Sequence, residues 1–416
     1  MEETVENQSN LFIARQPILD KVQNIFAYEL FSRSSGESQA APKGMSVSDD
    51  SEMMFNILST FGIEQLLDGK KAFLNCILEG NNLDYFELIK PKNIVIEVMP
   101  PEELHNKDSI EEIKNKMTTL KNKGYELAAG EFSLLDGYEN IFALLDYLKV
   151  DGHNKPEKVA LAVKKALANK KKIVAEKVET EEQFNYLKRF GIEFFQGYFF
   201  AKPTNVSAKI TSPAVSTIIR LINLVLQEAD IKELEKVLKT DPTLSFKLFR
   251  YMNSCGVGGG AKVETLNQAL MMLGYKPLFK WLSILFTTTK KGEGSDAITK
   301  MALIRAKFME LLANDCLSKK DADQCFVVGM FSMLDVLLNV PIDVALSSID
   351  LNDSIKDPIL NKSGDYWPLL SLTVSIEVSD WIDVFAIAYQ MKLSSMLINE
   401  RYLQAIEWSN KLRLGS

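Results

Sequence analysis

Glu126-Leu127-Ala128-Ala129-Gly130-Glu131-Phe132-Ser133 reads as a buried strand running into a loop. Its short apolar run belongs to a series. Further candidate strands lie at Phe12–Ile18, Ile25–Phe31, Ala72–Cys76, Ile94–Val98, Tyr147–Val150, Ile173–Ala175 and Phe194–Phe199. Such compact runs of Val, Ile, Phe and Leu suit strands covered on both faces. Amphipathic stretches at Glu102–Lys123, Lys155–Asn169 and Glu181–Phe190 separate the later ones. That alternation predicts βαβ units and a mostly parallel sheet. Eight strands in roughly 190 residues predict a closed, TIM-like (β/α)8 barrel rather than an open sheet. The first two strands are joined too closely for a crossover, so one strand is expected to run antiparallel.

The chain has 416 residues, 46% of them apolar and 25% charged, with a formal net charge of −7. That length predicts two domains. The acidic balance argues against a nucleic-acid footprint, which needs clustered positive charge. Met1–Asn10 is polar, with no signal-peptide core, and reads as a flexible N-terminus. The longest apolar run, near Pro277–Phe286, is interrupted by Lys280, so no membrane insertion is expected. Cys76, Cys255, Cys316 and Cys325 form no C-x-x-C pair and read as thiols in a reducing compartment, which points to the cytoplasm.

Residues just past the C-terminal ends of barrel strands face the active site. Here those positions are Glu29 with Arg33, Asn75, Glu97, Glu131, Lys149 with Asp151, Glu176 with Glu179, and Gln196. Carboxylate and amide oxygens are the ligands preferred by a hard cation such as Mg²⁺. A pair of such ions activates water in phosphodiester hydrolysis. Ser34–Ser51, rich in Ser, Gly, Pro and Asp, reads as a loop at the barrel mouth.

Residues 11–203 resemble the EAL domain, the cyclic di-GMP phosphodiesterase barrel. Gln16-Pro17-Ile18 is similar to the family's QPI, and Glu29-Leu30-Phe31-Ser32-Arg33 to its E-A-L-x-R signature. Leu74-Asn75 and Ile96-Glu97 resemble the strands that carry metal ligands. Leu148-Lys149-Val150-Asp151 resembles L-K-I-D, Ala175-Glu176-Lys177-Val178-Glu179 resembles A-E-G-V-E, and Gln196-Gly197-Tyr198 followed by Lys202-Pro203 resembles the closing QGY segment. The resemblance implies metal-ligand positions at Glu29, Asn75 and Glu97. It implies nucleotide contacts at Gln16, Arg33 and Gln196, and catalytic positions at Lys149, Glu131 and Glu176.

The departures weigh against chemistry. Active members carry D-D-F-G-T-G where this chain has Gly130-Glu131-Phe132-Ser133-Leu134-Leu135. Gly130 cannot coordinate an ion, and Glu131 has a longer arm than Asp. Lys177 replaces a loop glycine beside Glu176. The sequence therefore predicts a degenerate, vestigial site and a protein that is not an enzyme. No cofactor is expected, with Mg²⁺ or Mn²⁺ only where a residual site binds it.

Thr204–Pro213 reads as a linker, and 214–416 as an all-α domain. Asp241-Pro242 opens a helix, with Asp at the cap and Pro in the first turn. Further helices are expected at Leu266–Leu273, Leu278–Thr288, Ile298–Ser318, Cys325–Leu338 and Ser371–Leu397. With Leu244, Lys247-Leu248, Asn253-Ser254, Ala269 and Leu273-Gly274, this half resembles the HDOD domain, a relative of HD phosphohydrolases that lacks their metal site. The two histidines, His105 and His153, both fall in the barrel half, so no HD site can be built. Gly256–Val263 lacks the G-K-[ST] ending of a phosphate loop. Trp367 follows a loop-like stretch and is a candidate partner anchor.

The resemblance, with these departures, thus implies a non-catalytic regulator acting by protein–protein contact in bacterial cyclic di-GMP-linked control, of motility or biofilm formation. A cyclic di-GMP receptor and a weak phosphodiesterase stand as alternatives. The protein partner is unidentified, and a homodimer is open.

Overall fold

The structure is a computed structural model. It describes residues 11–34, 67–78, 83, 86, 90–198, 213–254, 265–288, 295–338, 340–347, 349 and 351–411. The expected mouth loop after Ser34, the linker 204–212 and the Gly-rich run 256–263 lie outside the described residues.

Eight strands close into a barrel in chain order. They are β1 (Leu11–Asp20), β2 (Ile25–Ser34), β3 (Lys71–Cys76), β4 (Ile94–Val98), β5 (Glu126–Ala129), β6 (Tyr147–Asp151), β7 (Lys172–Glu176) and β8 (Phe194–Gln196). β1 is antiparallel to both neighbours, and every other neighbouring pair is parallel. The fold is therefore an α/β barrel with one reversed strand, as the short β1–β2 connection predicts.

The barrel helices follow their own signals. Lys107–Asn122 is capped by the Asn106 side chain, which accepts from the Asp108 and Ser109 amides, and it buries Ile113, Met117 and Leu120 along one face. It starts five residues later than the expected Glu102, where that cap sits. Pro156 opens Pro156–Ala168, and the Thr180 hydroxyl caps Glu181–Arg189. β8 stops at Gln196 instead of continuing to Phe199, because Gly197 turns the chain at φ +147°.

The described residues of Met1–Lys202 and Ser371–Leu412 form one compact unit, and those of Pro203–Leu370 form a second. The sequence placed everything after 213 in one helical domain. The structure instead groups the last 40 or so residues with the barrel, so the second unit is an insertion in the chain of the first. The expected single helix Ser371–Leu397 is broken into Trp367–Glu377, Trp381–Met391 and Ser395–Lys411. Ser379 and Lys392 take left-handed φ of +59° and +56° at the breaks, and the Asp380 carboxylate caps the middle helix.

The second unit is all-α. It runs from Pro213–Leu226 to Asp353–Leu360 and on into the start of the helix at Trp367. Asp241 caps the helix opened by Pro242, accepting from Leu244 N at 3.0 Å. The expected helix Cys325–Leu338 is two helices, Lys319–Phe331 and Leu334–Leu338, the first started by a Ser318–Asp321 capping box. Gly329 lets Lys319–Phe331 cross Ser295–Cys316 closely: a Cβ there would lie 2.8 Å from Ala306 Cα. Trp367 is half-buried, and its neighbour Tyr366 donates to Asp321 at 2.7 Å. Among the described residues no single helix is long and apolar enough to cross a membrane. One pair, Leu266–Leu273 with Tyr275–Phe286, bent by 108°, passes by length and composition together.

Candidate functional site

The barrel interior is built in layers. Ile18, Ala27, Phe73, Val95, Ala128, Tyr147 and Val174 form an apolar layer, with Phe194 packed against it. Side chains along a strand alternate faces, so the next inward position is two residues on. That step leads to Glu29, Asn75, Glu97, Gly130, Lys149, Glu176 and Gln196, and along antiparallel β1 to Gln16. A polar ring therefore sits directly above the apolar floor. Its members are the residues that the sequence singled out, and its one empty place is Gly130.

Lys149 is the centre of the ring. Its side chain is 0% exposed, and its Nζ lies 2.8 Å from Glu29, 2.6 Å from Glu97 and 2.6 Å from Glu176. Burial alone would lower its pKa, but the carboxylates of Glu29, Glu97 and Glu176 outweigh that and hold it well above the usual lysine value. Three carboxylates around one ammonium cannot all stay comfortably ionised. Glu97 takes the strain. Burial pushes it up to about 8, the charges of Glu29 and Glu176 push the same way, and Lys149 pulls against them.

Glu29 is further held by Asn75 Nδ2 at 3.0 Å and Gln196 Nε2 at 2.7 Å, and Gln196 Nε2 also donates to Gln16 Oε1 at 2.7 Å. Glu29, Asn75, Glu97, Lys149, Glu176, Gln16 and Gln196 are thus brought together. The side chain of Arg33 lies outside the described residues.

Glu131 is not part of this network. Its Oε2 accepts from Asn154 and from Lys158, the latter at 3.4 Å. Its Oε1 is buried with no partner. Asp151 also faces elsewhere, 2.6 Å from Lys177 Nζ, which with the His153 amide holds its pKa down against the rise from burial. Sequence reasoning missed Asn154 and Lys158 as holders of Glu131. Their place in the loop and first helical turn after β6 was the available signal. His105 and His153 are exposed, as expected of surface residues.

The resemblance to EAL domains implies divalent ions, and the donor set tests whether they fit. Glu29, Asn75, Glu97 and Glu176 offer oxygen only, which suits Mg²⁺ or Mn²⁺. Asn75 Oδ1 is buried with no hydrogen-bond partner, leaving a ligand-ready lone pair. As arranged, no group of three or more acidic, histidine or cysteine side chains among the described residues is set to hold a metal. Lys149 stands where the oxygens converge. Gly130 adds no oxygen, and Glu131 is engaged elsewhere. The set could hold an ion only in exchange for the lysine ion pairs. It does not fit a pair.

The EAL domain model matches residues 2–203, and the HDOD domain model matches residues 212–340. The uncharacterized protein YuxH of Bacillus subtilis is 30% identical over 97% of this chain and 98% of its own length. The cyclic di-GMP phosphodiesterase CdgJ of Vibrio cholerae is 27% identical over 96% of this chain and 93% of its own. A solved standalone EAL protein from Vibrio cholerae O395, bound to cyclic di-GMP, is 21% identical with a TM-score of 0.36, covering 48% of this chain and 94% of its own. The expectation that the chain is not an enzyme is corrected here. A relative matching nearly end to end carries the name of a phosphodiesterase.

Proposed function

The chain belongs to the family in which an EAL barrel precedes an HDOD domain, and from that premise we propose that it serves cyclic di-GMP signalling by binding the dinucleotide at the polar mouth and hydrolysing it slowly. The observation that carries this reading is the ring of Glu29, Asn75, Glu97, Lys149 and Glu176 with its gap at Gly130. The hydrolytic part also draws on the activity in the name of CdgJ.

Gln16 and Gln196, joined to each other at 2.7 Å, would exchange that contact for one to the nucleotide. Glu29, Asn75, Glu97 and Glu176 would hold one Mg²⁺ or Mn²⁺, which supplies Lewis-acid polarisation of a phosphoryl oxygen. Lys149, released from its carboxylates, orients the attacking water and stabilises charge developing on the phosphate. Glu97 is held protonated near neutral pH by burial and by Glu29 and Glu176, so binding the ion there would require it to release that proton. Slowness follows from the missing carboxylate at Gly130, since one ion cannot stabilise both the attacking and the leaving oxygen.

Calorimetric titration of cyclic di-GMP into the protein with Mn²⁺, with the products then separated, tests this. The expected result is a saturable heat and a slow, metal-dependent appearance of the linear dinucleotide. Saturable heat with no product over a day removes the hydrolytic half. No heat at high micromolar concentration overturns the reading.

A further inference from the structure

The β1–β8 junction is short among the described residues. Among the described residues its ladder ends at the Ile18–Gln196 pair, while β1 continues back to Leu11. A buried strand amide must find an acceptor, and an element other than a neighbouring strand can supply it. Here the helix Ser395–Lys411 does so: Ile13 N donates to Asn399 Oδ1 at 3.0 Å, and Asn399 is buried.

The same C-terminal segment grips the seam at other points. Phe385 packs edge-on against Phe12, with ring centroids 5.0 Å apart. Arg15, stacked 4.1 Å over the Tyr28 ring, hydrogen-bonds Tyr402. Across the seam, Tyr198 beyond β8 reaches Glu377 at 3.4 Å. Between these two grips lie Gln16 and Gln196, joined at 2.7 Å. This segment falls outside both family matches, which end at 203 and 340.

We propose that the helices after residue 370 are a positioning element of the barrel mouth: Asn399 and Tyr402 staple the β1–β8 seam and so set the Gln16–Gln196 pair against Glu29. Asn399 and Tyr402 are positioning residues that touch β1, not the ligand. The effect on ligand affinity rests on the cyclic di-GMP reading given above, whereas the staple itself does not.

The test uses the full chain with Asn399→Leu, Asn399→Asp and Tyr402→Phe. Amide exchange is read residue by residue, and cyclic di-GMP affinity is read by titration. Asn399→Leu is expected to speed exchange at Ile13 and its β1 neighbours about tenfold while β4–β6 stay protected, and to weaken cyclic di-GMP binding about tenfold. Asn399→Asp keeps the acceptor and is expected to restore both. If Asn399→Leu does not fold, Tyr402→Phe, which removes one hydroxyl, is read the same way. Unchanged exchange at Ile13, uniform acceleration across the barrel, or a loosened seam with unchanged affinity each overturns the proposal. If the natural chain fails to bind cyclic di-GMP, the functional reading falls. Acceleration confined to Leu11–Gln16 would then still support the staple, and its absence would still overturn it.

Discussion

The Lys149 ammonium lies 2.6 Å from the Glu97 carboxylate, and both side chains are buried in the barrel mouth. Two further carboxylates share that lysine. The cluster therefore carries excess negative charge, and Glu97 answers by holding its proton.

That proton makes barrel stability depend on pH. Glu97 moves from an ordinary 4.5 to about 8 in the folded chain. Between those values the folded state binds a proton that the unfolded state has released. Its contribution is fully present below 4.5 and is lost as pH rises through about 8. Glu97→Gln, which mimics the protonated form, is expected to melt near the natural chain at pH 5 and several degrees above it at pH 9. Equal melting differences at both pH values would refute this.

Removing the lysine should be far more damaging than removing any one partner. Lys149→Met leaves three carboxylates facing one another without their cation. Breaking a buried ion pair costs about 3–5 kcal/mol. Urea unfolding at pH 8 should show a loss of that order, shrinking at pH 5, where Glu97 holds its proton.

Gly130→Asp, combined with Glu131→Asp, should fill the gap in the ring. The Gly130 backbone is extended, at φ −74°, and an added Cβ would meet nothing closer than Phe132 Cδ1 at 3.9 Å, so the new side chain fits without strain. Metal-dependent hydrolysis of cyclic di-GMP is expected to rise at least about a hundredfold, a gain of about 2.7 kcal/mol in transition-state stabilisation. An unchanged rate would place the block elsewhere, with Lys177 the next residue to replace.

Gly197 has no substitute. A Cβ there would lie 2.1 Å from the Val178 carbonyl oxygen, at a φ of +147° that side chains rarely adopt. Gly197→Ala is expected to cost more than about 3 kcal/mol and to part β8 from the loop after β7. Near-natural stability on denaturant unfolding would count against this packing.

Much of the barrel is legible in the chain because its interior alternates on a strict period. Phe73 to Asn75, Val95 to Glu97 and Tyr147 to Lys149 each step from the apolar floor to the polar ring. The same period exposes the gap from Ala128 to Gly130. The direction taken by Glu131 was not legible, since a 3-10 turn at Glu131–Leu134 carries it toward Asn154. Nor was the seating of the C-terminal helices. Helical periodicity says which face is apolar and does not name the surface that covers it. Ser379 and Lys392, in left-handed conformations usually given to glycine or asparagine, concealed the breaks between those helices.

The hydrogen bond between Ile13 and Asn399 spans 386 positions of sequence. At a synthesis rate of about 5–20 residues per second, the first strand leaves the ribosome roughly 20 to 80 seconds before the residue that covers its edge. The inserted helical unit is translated within that interval. The first strand therefore waits without its Asn399 acceptor while the inserted unit is made. Slow codons or chaperone shortage late in translation would be felt at the opposite end of the chain, as strand-edge association of a protein whose beginning is already complete.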